Sequence, residues 1–184
     1  MNTTKKITLS AVMVAMSTVL VFVSKLIPSL PNGGQITLAS MVPVIFVSLL
    51  LGTKWGLAAS LVYALIQMMT GFYPPPTQNF LSFFAVIMLD YIIAFGCLGI
   101  AHFFANFIKN DKLKYPVSGA LVILIRYVCH ILSGVIIWGV YAPEGQGVWV
   151  YSILYNGSYM IPEIIISAVV IVLLFPVLKT RGVK

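Results

Sequence analysis

Apolar residues in this chain come in long unbroken runs, not in the alternation of a half-buried strand or the single stripe of a soluble helix. Six runs stand out, at 7–27, 36–52, 55–72, 79–108, 117–141 and 151–178. A helix needs about 20 apolar residues to cross a hydrocarbon core of about 30 Å. The second and third runs are short and only Thr53 and Lys54 separate them, which predicts a tight helical hairpin. The breaks carry turn chemistry: Pro28 with Pro31-Asn32-Gly33-Gly34, then Pro74-Pro75-Pro76, Asn110-Asp111 through Pro116, and Pro143-Glu144-Gly145-Gln146-Gly147. Run length and the lack of alternation favour helices over a barrel. The pattern predicts an all-α membrane protein of six transmembrane helices, one integral domain over 1–184, with no soluble domain.

Composition strengthens that reading. Of 184 residues, 60% are apolar and only 8% charged, against roughly 25% charged in a soluble domain. Lys5-Lys6 ahead of the first run imitates a secretory signal. That run is too long for one, however, and no small-x-small cleavage site follows, so it is read as a true span. Charge then orients the bundle. With six spans, Lys5, Lys6, Lys54, Lys109, Lys112, Lys114, Lys179, Arg181 and Lys184 fall on one side, and only Lys25 on the other. Positively charged loops stay inside, so both termini are predicted to be cytoplasmic. The net charge of +7 has this topological cause, and no nucleic-acid partner is implied. Cys97 and Cys129 sit within spans, without a CxxC pair, and read as packing residues.

Ionisable groups inside a membrane are costly, which makes them functional candidates. Asp90, Arg126, His130 and Glu163 qualify. At a 1.5 Å rise per residue they lie roughly 14–20 Å from the outer ends of their spans, with Asn156 about 8 Å in. Arg126, His130, Ser133, Gly134 and Ile137 share one helical face, with Trp138 beside it; Asn156, Tyr159 and Glu163 form a similar face. Arg126 and Glu163 come out at nearly equal depth on antiparallel spans, which predicts a buried ion pair locking two helices. His102, near the inner end of the fourth span, reads as interfacial. Tyr73, Trp149, Tyr151 and Tyr155 suit either an interfacial belt or a stacking wall. The chain has no phosphate-binding loop, no HExxH and no Cys/His cluster, so neither a metal nor another cofactor is predicted. The face residues suggest an outward pocket for a small polar aromatic solute.

Several segments carry a family resemblance over essentially the whole chain. They are Gly33-Gly34-Gln35-Ile36-Thr37-Leu38-Ala39-Ser40-Met41-Val42-Pro43, Leu89-Asp90-Tyr91 with Ala94-Phe95-Gly96-Cys97-Leu98-Gly99, and His130-Ile131-Leu132-Ser133-Gly134 through Trp138 and Tyr141-Ala142-Pro143 to Tyr151-Ser152 and Tyr155-Asn156-Gly157-Ser158-Tyr159. On these the chain resembles the substrate-binding S components of energy-coupling factor transporters, most closely the thiamine-specific ones. The resemblance implies a non-enzymatic subunit of a bacterial plasma membrane. Such a subunit binds a vitamin from outside and delivers it inward with a membrane coupling subunit and two ATPase subunits. It implies ligand contacts at Asp90, Tyr91, His130, Gly134, Trp138, Tyr151 and Asn156, with Asp90 pairing with an aminopyrimidine. Ala11 and Ala15 resemble the AxxxA element that docks on the coupling subunit. Some thiamine-binding members have Glu at the position of Asp90, and some a Trp in the first outer loop, whose ring Tyr73 or Trp149 can replace here. A hydroxymethylpyrimidine or a vitamin B6 vitamer therefore stands beside thiamine as ligand. A stand-alone carrier relaying protons through Asp90, His130 and Glu163 is a further alternative. An intramembrane enzyme is disfavoured, because no nucleophile–base pair is evident.

Overall fold

Residues whose side chains face outward are mostly large and apolar: Ile7, Val19, Phe22, Leu81, Ile165 and Leu173 are each at least half exposed. A surface of that kind requires lipid as its solvent. The computed structural model describes residues 1–30 and 34–180. The turn expected at Pro31-Asn32-Gly33 and the basic residues Arg181 and Lys184 lie outside them. Among the described residues the protein is all helical, a multi-pass bundle of six helices.

The first helix, α1, runs Thr3–Ser24. It starts earlier than expected because the Asn2 side chain caps it, accepting the Lys5 N–H at 3.0 Å. Its 22 residues span about 33 Å. Val14, Ser17 and Ser24 face the protein, while Ala11 and Ala15 are exposed on another side of the helix.

The second run departs most from expectation. Helix α2 covers only Val42–Leu51, ten residues or about 15 Å. Pro43 sits in its first turn, where a missing N–H costs nothing. Residues 34–41 are not helical, and Leu38 and Ala39 adopt positive φ of 47° and 61°. The expected second span is therefore corrected to a half-span preceded by irregular backbone. Irregular backbone at membrane depth persists where protein buries it or where it lines a cavity. Both hold here, and Val42 through Leu49 are all buried.

Gly52 alone, with φ 92°, joins α2 to α3 (Thr53–Gly71), giving the anticipated tight hairpin. Helix α4 (Phe80–Ala105) starts on Asn79, whose side chain accepts the Ser82 N–H at 2.8 Å. It ends at Ala105, three residues short of the expected end. Within it, Ile87–Ile92 widens to a π turn and Cys97–Ile100 tightens to a 3-10 turn. At the tightened turn α4 meets α3 backbone to backbone. A Cβ on Gly56 would lie 2.5 Å from the Gly99 carbonyl oxygen, and the Ser48 hydroxyl donates to that same oxygen at 2.6 Å.

Helix α5 (Lys114–Ile136) is followed by a short 3-10 turn at Trp138–Tyr141, which the expected span had included as helix. Helix α6 (Val148–Thr180) holds Pro162 and Pro176 and packs along α5. A Cβ on Gly134 would collide with the Ser152 side chain and lie 3.1 Å from Asn156 Nδ2, so glycine sets how closely these two helices approach. Among the described residues four stretches, Thr3–Ser24, Phe80–Ala105, Lys114–Ile136 and Val148–Leu174, are long and apolar enough to cross a bilayer on their own.

Candidate functional site

The π turn of α4 carries Asp90. Turns of this kind recur at functional sites, because the extra residue re-aims a side chain. Here the Asp90 carboxylate meets three donors on or just beyond α5. Its Oδ1 lies 3.2 Å from His130 Nδ1. Its Oδ2 accepts from the Ser133 hydroxyl at 2.7 Å and from the Trp138 indole N–H at 3.1 Å. His130, Ser133 and Trp138 reach one carboxylate because 130 and 133 share a helical face and the 3-10 turn folds Trp138 back toward them. Residue spacing does not pair Asp90 with His130, which lie 40 positions apart; the structure makes them partners of each other.

Arg126 completes the row. Its Nε donates to His130 Nε2 at 3.2 Å. A guanidinium only donates, so Nε2 acts as acceptor and the imidazole proton sits on Nδ1, toward Asp90. Arg126 Nη1 reaches the Met41 sulfur at 2.8 Å, and the guanidinium lies 4.1 Å from the centre of the Phe95 ring.

The expected ion pair between Arg126 and Glu163 does not form. Glu163 is almost fully buried at 2% exposure. Its two oxygens accept the backbone N–H groups of Thr37 at 2.8 Å and Ala39 at 2.9 Å. Equal depth along two helices does not fix their rotation, and rotation turns Glu163 toward the 34–41 segment. Among the described residues the only contact between an acidic and a basic side chain within 4 Å is that of His130 with Asp90, a hydrogen bond from the neutral imidazole.

Around this row lies a cavity of about 370 Å³. Asp90, Tyr91, His130, Gly134, Trp138, Tyr151 and Asn156 all line it, as does Arg126, whereas Glu163 does not. The residues differ in how free their polar atoms are. Tyr91 donates its hydroxyl to the Gly71 carbonyl and accepts the Tyr73 N–H, tying the end of α3 to α4. Asn156 donates to the carbonyls of His130 and Ser152 and accepts the Tyr159 hydroxyl at 2.6 Å. Aromatic rings make much of the remaining wall: Tyr73 packs on Trp138 at 5.4 Å, and Tyr151 stacks on Tyr155 at 5.7 Å. Tyr73 thus stands at the cavity, whereas Trp149 is 56% exposed and absent from its lining.

Sequence reasoning missed Gln35, Thr37, Ser40, Tyr63, Gln67 and Phe95 as lining residues. Thr37 and Ser40 sit in the segment read as helix and Gln35 just before it; Thr37 and Ser40, polar within an apolar run and just before Pro43, were the available signal. Among the described residues no group of three or more His, Cys, Asp and Glu is placed to hold a metal.

The family described as thiamine transporter protein matches residues 7–181 of this chain. The thiamine transporter ThiT of Bacillus subtilis (strain 168) is 37% identical over 176 residues, covering 90% of this chain and 87% of that protein. The thiamine transporter ThiT of Lacticaseibacillus paracasei is 35% identical over 99 residues, about half of each chain at 49%. A solved structure of ThiT from Listeria monocytogenes superposes with a TM-score of 0.69 at 23% identity, over 94% of this chain and 93% of that one, and so shares the fold.

Proposed function

The chain belongs to the thiamine transporter protein family, and from that premise we propose that it binds thiamine in the cavity beside Asp90 as a substrate-binding subunit. The observation that carries this reading is the set of contacts around the Asp90 carboxylate. A carboxylate offers about four acceptor positions. Protein donors take three of them here, two on Oδ2 and one on Oδ1. An acceptor position on Oδ1 is left for the aminopyrimidine, and a two-point pairing follows once Ser133 or Trp138 yields on Oδ2. Such paired hydrogen bonds to a charged group are short and strong. Trp138, Tyr73 and Tyr151 supply ring faces for the cationic thiazolium. His130, Gly134, Asn156 and Tyr91 form the rest of the contact set, with Tyr91 contributing its ring edge because its hydroxyl is committed to backbone.

In this reading the whole chain is one integral membrane domain with both termini inside. The cavity takes vitamin from outside. The exposed Ala11 and Ala15 of α1 face a membrane coupling subunit that works with two ATPase subunits. A proton relay through Asp90, His130 and Glu163 loses support, because both Glu163 oxygens are bonded to backbone N–H groups and Glu163 does not line the cavity.

Equilibrium titration of the purified protein with thiamine, a hydroxymethylpyrimidine and vitamin B6 vitamers tests the assignment through tryptophan fluorescence. Trp138 at the cavity predicts quenching by thiamine at micromolar concentration or below. Tight binding of another vitamin, with none of thiamine, would overturn it.

A further inference from the structure

A buried carboxylate that takes no part in the Asp90 row calls for its own explanation. Glu163 makes no ion pair among the described residues and is nonetheless 2% exposed. What it holds is backbone. Leu38 and Ala39 stand consecutively at positive φ, a left-handed conformation that is strained for L-residues. This turn points the N–H groups of Thr37 and Ala39 at one spot, a concave arrangement of backbone donors suited to an anion, and the Glu163 carboxylate fills it.

Helix α6 grips the same segment at two further points on the same face. Tyr155, Tyr159 and Glu163 follow at i, i+4 and i+8. The Tyr155 hydroxyl accepts the Gly34 N–H at 2.9 Å. The Tyr159 ring lies so close to Gly34 that a Cβ there would come within 2.8 Å of it. The segment held in this way presents Gly34, Gln35, Thr37 and Ser40 to the cavity and ends at Met41, whose sulfur takes an N–H from Arg126.

We propose that Glu163 is a positioning residue for vitamin binding: its carboxylate fixes the 34–41 segment as a wall of the cavity and thereby slows ligand release without touching the ligand. The inference rests on the reading that this cavity binds thiamine. The side chain's shape alone does not serve. In Glu163→Gln one carboxylate oxygen becomes an NH₂ group, which sets a donor against a backbone donor at Thr37 or Ala39.

Stopped-flow tryptophan fluorescence on Glu163→Gln, with amide hydrogen exchange on the ligand-free protein, tests this. Loss of one charge-assisted bond predicts thiamine release on the order of tenfold faster, with association changed by less than about threefold. Exchange should rise at Thr37 and Ala39 while the amides of α5 keep their protection. Gly34→Ala opens the same seam from the segment's side, and its release should also quicken. A lowered melting temperature with wild-type release from both variants would reduce Glu163 to a packing residue and overturn the proposal. So would unprotected Thr37 and Ala39 amides in the wild-type protein. Failure of wild-type protein to bind thiamine would instead sink the substrate assignment, and the exchange measurement would still decide what Glu163 holds.

Discussion

Helix α1 and helices α4–α6 bond their polar side chains in different ways. In α1 the hydroxyls of Ser10, Thr18 and Ser24 bond to carbonyls four residues back in their own helix, and Thr70 near the end of α3 does the same. Each such group is self-contained and works at almost any position along a helix. In α4–α6 the bonds cross between elements: Asp90 to Ser133 and Trp138, Asn156 to the His130 carbonyl, and Tyr127 to the Ile153 carbonyl. A bond that crosses demands a particular rotation of both partners, and its loss leaves a stranded group in a low dielectric. Polarity in α1 is compatible with the membrane. In α4–α6 it specifies an arrangement, and the cavity lies where that arrangement converges.

Substitutions can break or sharpen this contrast. The largest effect is expected at Asp90→Asn. The amide cannot accept from all three donors, and it loses the charge that would pair with an aminopyrimidine, so thiamine affinity should fall by about 2–4 kcal/mol, a factor of roughly 30–1,000. Fluorescence titration measures it, and an unchanged Kd would remove Asp90 from the site. Next comes Gly134→Ala, which pushes α5 against Ser152 and Asn156. Overpacking of this kind should cost about 1–3 kcal/mol, seen as a lower melting temperature, and should weaken binding as well, because Asn156 moves. The smallest effect belongs to α1. Thr18→Ala in α1 removes a bond within one helix, so stability should shift by less than about 0.5 kcal/mol with no change in affinity. A large loss of binding there would show that polar groups bonded within one helix also shape the cavity.

Much of the fold was legible in the sequence because bilayer thickness sets the length of apolar runs. Asn79 marks where α4 begins, and Gly52 marks the hairpin. The polar rows at 126, 130, 133 and 134, and at 156 and 159, follow from helical spacing alone. What could not be read depended on partners far away in the chain. Residues 36–41 are apolar enough for a helix, and they are drawn out of it by a carboxylate about 125 positions later. The predicted pairing of Arg126 with Glu163 used depth, which residue counting supplies. It lacked azimuth, which depends on how α5 and α6 pack. The same reasoning found Asp90 and His130 and left open that they bind each other, because a π turn is invisible in a run such as Ile87-Met88-Leu89-Asp90.

That widened turn separates the length of α4 from its phase. One residue more or fewer in a helix rotates everything beyond it by about 100° while changing its length by about 1.5 Å. Insertions and deletions between 87 and 92 are therefore nearly silent to the bilayer, which responds to span and apolarity. They are not silent to the cavity, because they swing Asp90 toward or away from α5. Diversification of a helix like this can proceed by slippage at one joint, re-aiming a binding group with no substitution of the group itself.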